Sequence, residues 1–150
     1  MASKRKAIKS AIVSQLGNIS VANGYNTDVG EIVDKDTDIR GVNAFPAIQV
    51  TYGREDKAQN ELHRKRGMIE FDIKVICKKP DADDACDDLA ADIENNLETK
   101  VGNLHLGLGY VDEVELLEID ARGNSDEIDR SVRIWYLLVR VTYRHARAAA

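Results

Sequence analysis

Three histidines, two cysteines, a run of aspartates and one basic cluster are the side chains with chemistry to offer in this 150-residue sequence. His63 lies in a charged stretch, His105 beside a glycine-rich phrase and His145 close to the C-terminal end. No spacing sets any of them beside a serine or cysteine nucleophile, so all three read as surface histidines. Cys77 ends an apolar strand-like run and Cys86 falls on a helical face. Two cysteines with no histidine nearby do not make a zinc site; both read as buried free thiols, the usual state of a small apolar core residue, with a disulfide, which no export signal supports, as the alternative. Asp81, Asp83, Asp84, Asp87 and Asp88 invite a calcium reading, but the run has no central glycine and a helical stripe begins inside it. It reads instead as the start of a helix matched to the positive end of the helix dipole, with a divalent ion at Asp81 and Asp83 as the alternative. His105-Leu106-Gly107-Leu108-Gly109 lacks both the dinucleotide fingerprint and a Gly-Lys-Ser/Thr ending, and reads as a turn. No catalytic, cofactor or metal residue is assigned, and the chain reads as a non-enzyme.

The basic cluster His63, Arg64, Lys65 and Arg66 closes a stretch that also carries Arg54, Glu55, Asp56 and Lys57. Gly53 to Arg66 has no apolar period and reads as an exposed connection between two antiparallel strands. Three uses fit it: a solvated hairpin, an arm that docks on a neighbouring subunit or acidic partner, where arginine suits bidentate pairing with carboxylates, and a DNA contact. The net charge of −5 and the adjacent Glu55, Asp56 and Glu61 argue against the last, because phosphate binding needs a basic face.

These residues must be positioned by a chain whose length suits one ordinary domain, 1–150, without disulfide or metal staples. With 43% hydrophobic and 31% charged residues the composition is that of a globular protein. No stretch approaches the roughly 20 apolar residues of a membrane span, and no apolar segment follows the basic Met1–Lys9, so a cytoplasmic site of synthesis is expected. Ile8, Ile12, Leu16 and Ile19 form one stripe of a helix over Ser3 to Ile19, capped by Ser3 and weakened at Gly17-Asn18 so that it ends near Leu16. Its other face, with Lys4, Lys6, Lys9, Ser10 and Gln15, should be wet. Ala22 to Asn26 is a turn, Val29 to Val33 a short strand, Asp34 to Asn43 a polar loop, and Ala47 to Tyr52 a strand begun by Phe45-Pro46. In Met68 to Cys77, Ile69, Phe71, Ile73, Val75 and Cys77 alternate with Glu70, Asp72 and Lys74, which predicts a strand with one buried face. Asp81 to Thr99 is the second helix, with Cys86, Leu89, Ala90, Ile93 and Leu97 as its stripe. Val111 to Ile119 is a strand whose alternation slips at Leu116-Leu117, as a bulge would make it. Val132 to Tyr143 is the last strand and His145 to Ala150 a tail. The fold class expected is α+β: a mostly antiparallel sheet of four to five strands flanked by two helices on one face, in the order α-β-β-β-α-β-β, with no repeat, linker or second domain.

The last strand is apolar on both sides. Trp135, Leu137, Val139 and Val141 share one face, while Ile134, Tyr136 and Leu138, then Arg140, share the other. Either the strand is central and covered twice, or its second face is buried between subunits. On the second view Tyr136, Leu138 and Arg140 join the charged connection as partner-interface residues.

An amphipathic opening helix, then Asn23-Gly24-Tyr25-Asn26-Thr27-Asp28-Val29-Gly30, then Phe45-Pro46-Ala47 entering a strand, the strand from Arg64 to Lys74, an acidic-capped second helix and a closing strand ending Val141-Thr142-Tyr143-Arg144 follow one another in this chain. In that order, from about Ala7 to Arg144, the sequence resembles the tail terminator (tail completion) proteins of long-tailed phages. The resemblance implies an α+β fold and a six-fold ring on the last ring of the tail tube, which stops tube polymerisation and presents a surface to the head connector. It implies as partners further copies of the chain, the tail tube protein and the connector or neck protein, with DNA passing through the bore unbound. It implies no cofactor and no catalytic residue, and a place at the neck-proximal end of the virion tail after assembly in the host cytoplasm. Another neck or head–tail joining protein of the same layout, and a small α+β enzyme, are the alternatives.

Overall fold

The computed structural model describes residues 3–34, 44–58, 64–78, 82–98, 104–121 and 132–146. Helix α1 runs Lys4–Leu16, and Ser3 caps it as expected, its hydroxyl accepting from the Lys6 N–H at 3.2 Å. Strand β1 is Glu31–Val33, β2 is Ala47–Ala58 and β3 is Arg64–Lys78; α2 is Ala82–Leu97; β4 is Val111–Asp120 and β5 is Val132–Ala146. The fold is α+β in the expected order. The five strands form one sheet in the order β1-β2-β3-β5-β4, with β1 parallel to β2 and all other pairs antiparallel.

Both helices pack on one face. The stripe Ile8, Ile12, Leu16 and Ile19 and the stripe Cys86, Leu89, Ala90, Ile93 and Leu97 are buried together with Ile69, Phe71, Ile73, Val75 and Cys77 of β3 and Leu137, Val139, Val141 and Tyr143 of β5. Burying each large side chain of this kind contributes about 1.5–3 kcal/mol. The alternation read in β3 is therefore the alternation observed, and the slip in β4 is a register shift between Leu116 and Glu118. A second shift lies between Val111 and Glu113.

Three expectations need correction. Gly53 to Arg66 is not all connection: β2 continues to Ala58 and β3 begins at Arg64, paired through Glu55–Ile69, Asp56–Met68, Lys57–Gly67 and Ala58–Arg66. Backbone pairing requires no residue type, and a bulge between Tyr52 and Glu55 displaces the alternation begun in Ala47 to Tyr52. The same extension takes in His145 and Ala146, expected as tail, which pair with Lys65 and Arg64. Gln15, expected to be wet, is buried. Its side-chain amide donates to the Asn96 carbonyl at 2.6 Å, and Asn96 Nδ2 donates back to the Gln15 carbonyl at 2.9 Å, so a reciprocal amide pair joins the two helices. Asp81 and Thr99, expected at the ends of the second helix, lie outside the described residues, as do 35–43 of the polar loop and 147–150 of the tail.

The phrase around Gly24-Tyr25 is fastened to α2. After a short 3-10 turn over Val21–Asn23, Gly24 takes φ 92°, a left-handed conformation that glycine adopts without cost. The turn delivers Asn26 and Thr27 to the buried carboxylate of Asp92. It accepts from both backbone N–H groups at 2.9–3.1 Å, from the Thr27 hydroxyl at 2.6 Å and from Asn26 Nδ2 at 3.2 Å. Asn96, one helical turn on, donates to the Tyr25 hydroxyl at 3.1 Å.

Candidate functional site

Asp56, Arg66, Tyr136, Leu138 and Arg140, five of the residues singled out from sequence, share the sheet face opposite the helices. Cross-strand register places Asp56 of β2 beside Met68 and Thr142, Arg66 of β3 between Ala58 and Arg144, and Tyr136, Leu138 and Arg140 of β5 in a row. All these positions alternate with the buried ones. Glu113, Glu115, Glu118 and Asp120 of β4 complete the face at its edge, opposite Thr142, Arg140, Leu138 and Tyr136. The residues of one face thus come from four strands, which no window of sequence could display.

Part of the second apolar face is accounted for within the chain. Ala47, Ile76 and Val132 are buried against Phe45 and Ile134 in a small separate cluster at one end of this face. Tyr136, 36% exposed, and Leu138, half-buried, stand beyond it. Lys74 lies over the Tyr136 ring, 5.9 Å from its centroid. Arg140 pairs with Glu70 at 3.4 Å, with Glu115 in register on its other flank, while its Nε is buried without a partner among the described residues. Asp72 faces Leu138. Burial, then the neighbouring Glu70, push its carboxyl above the usual range, against the pull of Lys74. A carboxyl raised in the folded state favours folding at low pH, and that contribution is lost as pH rises through the raised value.

Other expected interface residues sit elsewhere. Glu55 is turned to the helix side and engaged inside the chain, accepting from Arg5 at 3.3 Å and from the Tyr143 hydroxyl at 2.7 Å. Arg54 is exposed and pairs with Asp56 at 3.2 Å. Lys57, Arg64 and Lys65 are placed by backbone register alone, opposite Gly67, Ala146 and His145. His63 lies outside the described residues.

The extended end of the sheet is held by one tight contact. Gly67 lies opposite Tyr143, and a Cβ there would come within 2.4 Å of the ring's Cζ. The ring is buried, and burial, followed by the hydrogen bond and charge of Glu55, raises its phenol above the ordinary range, so it stays protonated and donates. Gly67→Ala is expected to cost about 1–3 kcal/mol, because the ring must leave Glu55 to make room. A denaturant midpoint equal to the parent's would show that the ring yields freely.

The remaining candidates for chemistry lie apart from this face. Cys77 and Cys86 are free and buried. Asp83, at the first turn of α2, accepts from Arg133 Nε at 2.6 Å and from Trp135 Nε1 at 3.3 Å. No group of three metal-ligating side chains occurs among the described residues. A hollow of about 410 Å³ near the start of α1 is lined by Ser3, Arg5, Lys6, Tyr52, Gly53, Glu55 and Ile69; Arg5 and Glu55 pair with each other there. Sequence reasoning missed Asp92 and Asn96, which are functional only as anchors. The available signal was their spacing: they stand four residues apart beside the apolar stripe of α2, where an exposed pair would have broken the face.

The fold recurs among solved structures. One of them is a chain in a structure titled "Virion of native gene transfer agent (GTA) particle", matched with a TM-score of 0.57 and 17% identity over 91% of this chain and 94% of that one. A scan of protein families finds no match to the sequence, and a search of curated proteins finds none. At this identity the likeness is one of fold. Among the described residues no helix is long and apolar enough to cross a membrane.

Proposed function

We propose that the protein is a non-enzymatic structural component of a phage-like virion. In the finer reading it forms a ring, of six copies by resemblance, that caps the tail tube, stops its polymerisation and offers the joining surface for the head connector. The observation that carries the coarser reading is the fold shared along nearly the whole of both chains with a component of a gene transfer agent virion. The finer reading draws on the order of elements from the opening helix to the closing aromatic strand, and on the helix-free face with Tyr136, Leu138 and Arg140. Arg54, Asp56, Lys57, His63, Arg64, Lys65 and Arg66 would extend that contact along the strand extension. The partners are further copies of the chain, the tail tube protein and the neck protein, and the place is the neck-proximal end of the tail after assembly in the host cytoplasm. Another neck or head–tail joining protein of the same fold is the second reading, because the shared fold favours a virion role without choosing the ring of the virion.

Light scattering with and without tail tube protein tests the proposal. A multimer of the chain, formed alone or on added tubes, is the expected result. A chain that stays monomeric in the presence of tubes overturns the terminator reading. Labelling in intact particles then separates the two readings by position.

A further inference from the structure

Cys77 and Cys86 belong to different elements, yet the fold brings them into one part of the core. Cys77 is the last inward-facing residue of β3 before the strand ends, directly across from Arg133 of β5. Cys86 stands in the second turn of α2, and its Sγ lies 3.8 Å from the Arg133 carbonyl and 3.9 Å from that of Val75. The helix therefore sets one thiol over the strand pair that carries the other. Both residues are buried, at 1% and 0% exposure. A disulfide needs about 2 Å between sulfurs, so closure draws the start of α2 onto the end of β3.

We propose that Cys77 and Cys86 form an oxidation site at which a peroxide converts the paired thiols into an intrachain disulfide joining β3 to α2. Cys86 turns its S–H toward the Arg133 and Val75 carbonyls and keeps its proton there, which leaves Cys77 as the nucleophile. Cys77 sulfur attacks one peroxide oxygen as its proton is released toward the departing oxygen. The O–O bond breaks, and the departing hydroxide takes up a proton as water, leaving a sulfenic acid on Cys77. Cys86 sulfur then attacks Cys77 sulfur, and the sulfenic hydroxyl leaves with the Cys86 proton as a second water. Two thiols lose two electrons and hydrogen peroxide gains them. A peroxide suits the site because it is small and neutral, whereas a mixed disulfide would have to place a bulky group in a packed core. The consequence is a clamp on the first turns of α2. If the virion reading holds, the thiols would persist in the reducing cell during assembly and the clamp would close once particles meet an oxidising exterior.

The test uses the purified full chain, reduced and then exposed to hydrogen peroxide at neutral pH without denaturant. The expected product has lost the mass of two hydrogens, regains it with dithiothreitol, yields a peptide linking Cys77 to Cys86, and melts roughly 5–10 °C higher than the reduced chain. Cys86→Ser is expected to stop at a sulfenic acid on Cys77 that dimedone traps. Thiols that survive peroxide unchanged, gains in multiples of oxygen mass, or a disulfide-linked dimer would each overturn the proposal. The outcome is independent of whether the chain enters a virion, since the free chain is used.

Discussion

Asp92→Ala is expected to destabilise the protein by about 3–5 kcal/mol, seen as a lower urea midpoint with an unchanged m-value. The wild-type carboxylate is buried and gathers four donors from Asn26 and Thr27. Alanine would remove the acceptor and leave two backbone N–H groups, a hydroxyl and an amide facing an apolar methyl. A domain of this kind has roughly 5–15 kcal/mol of net stability, so the loss is a large share of it. Asp92→Asn is expected to recover little, because its NH2 would point a donor at donors. Thr27→Val, which removes only the hydroxyl contact, should cost about 1 kcal/mol. A loss below 1 kcal/mol for Asp92→Ala would mean that the turn finds other partners or water, and that α2 does not depend on this anchor.

The same network shows where the sequence was readable. Stripes and alternation are records of burial, so the elements on the core were legible: α1 with its Ser3 cap, β3 from Met68, α2, and even the bulge near Leu116. The extension of β2, β3 and β5 was not, because Glu55 to Ala58 and Arg64 to Gly67 are paired through backbone ladders, and such ladders require no residue type. Gln15 and Asn96 were hidden for a different reason: each looks polar and exposed alone and becomes a core residue only when the other supplies its partner 81 positions away. The candidate face was legible in β5, where an apolar second side announced itself. Its neighbours Asp56, Arg66 and the acidic edge of β4 join it only through pairing. Glu55 was read with the charged connection, but the bulge turns it to the helix side and to Tyr143.

Leu138→Lys is expected to leave the chain as stable as the parent and to weaken its assembly by roughly a hundredfold or more. The substitution separates fold from contact. Within one chain Leu138 lies in register between Asp72 and Glu118, so a lysine there gains opposite charges across both neighbouring strands. That arrangement should also draw the raised Asp72 carboxyl back toward its ordinary range. In a contact between copies the same lysine places an ammonium group where an apolar side chain was to be covered. Burying it in the contact, even beside Asp72 and Glu118, costs several kcal/mol of desolvation, and each 1.4 kcal/mol is a factor of ten in affinity. Ser10→Lys, on the exposed side of α1, serves as the control for added charge and should assemble as the parent does. The readout is the multimer fraction by light scattering, with thermal unfolding of each variant alongside. If Leu138→Lys melts with the parent and still assembles with the parent's affinity, the helix-free face is not where copies meet, and the proposed ring must be built through another surface.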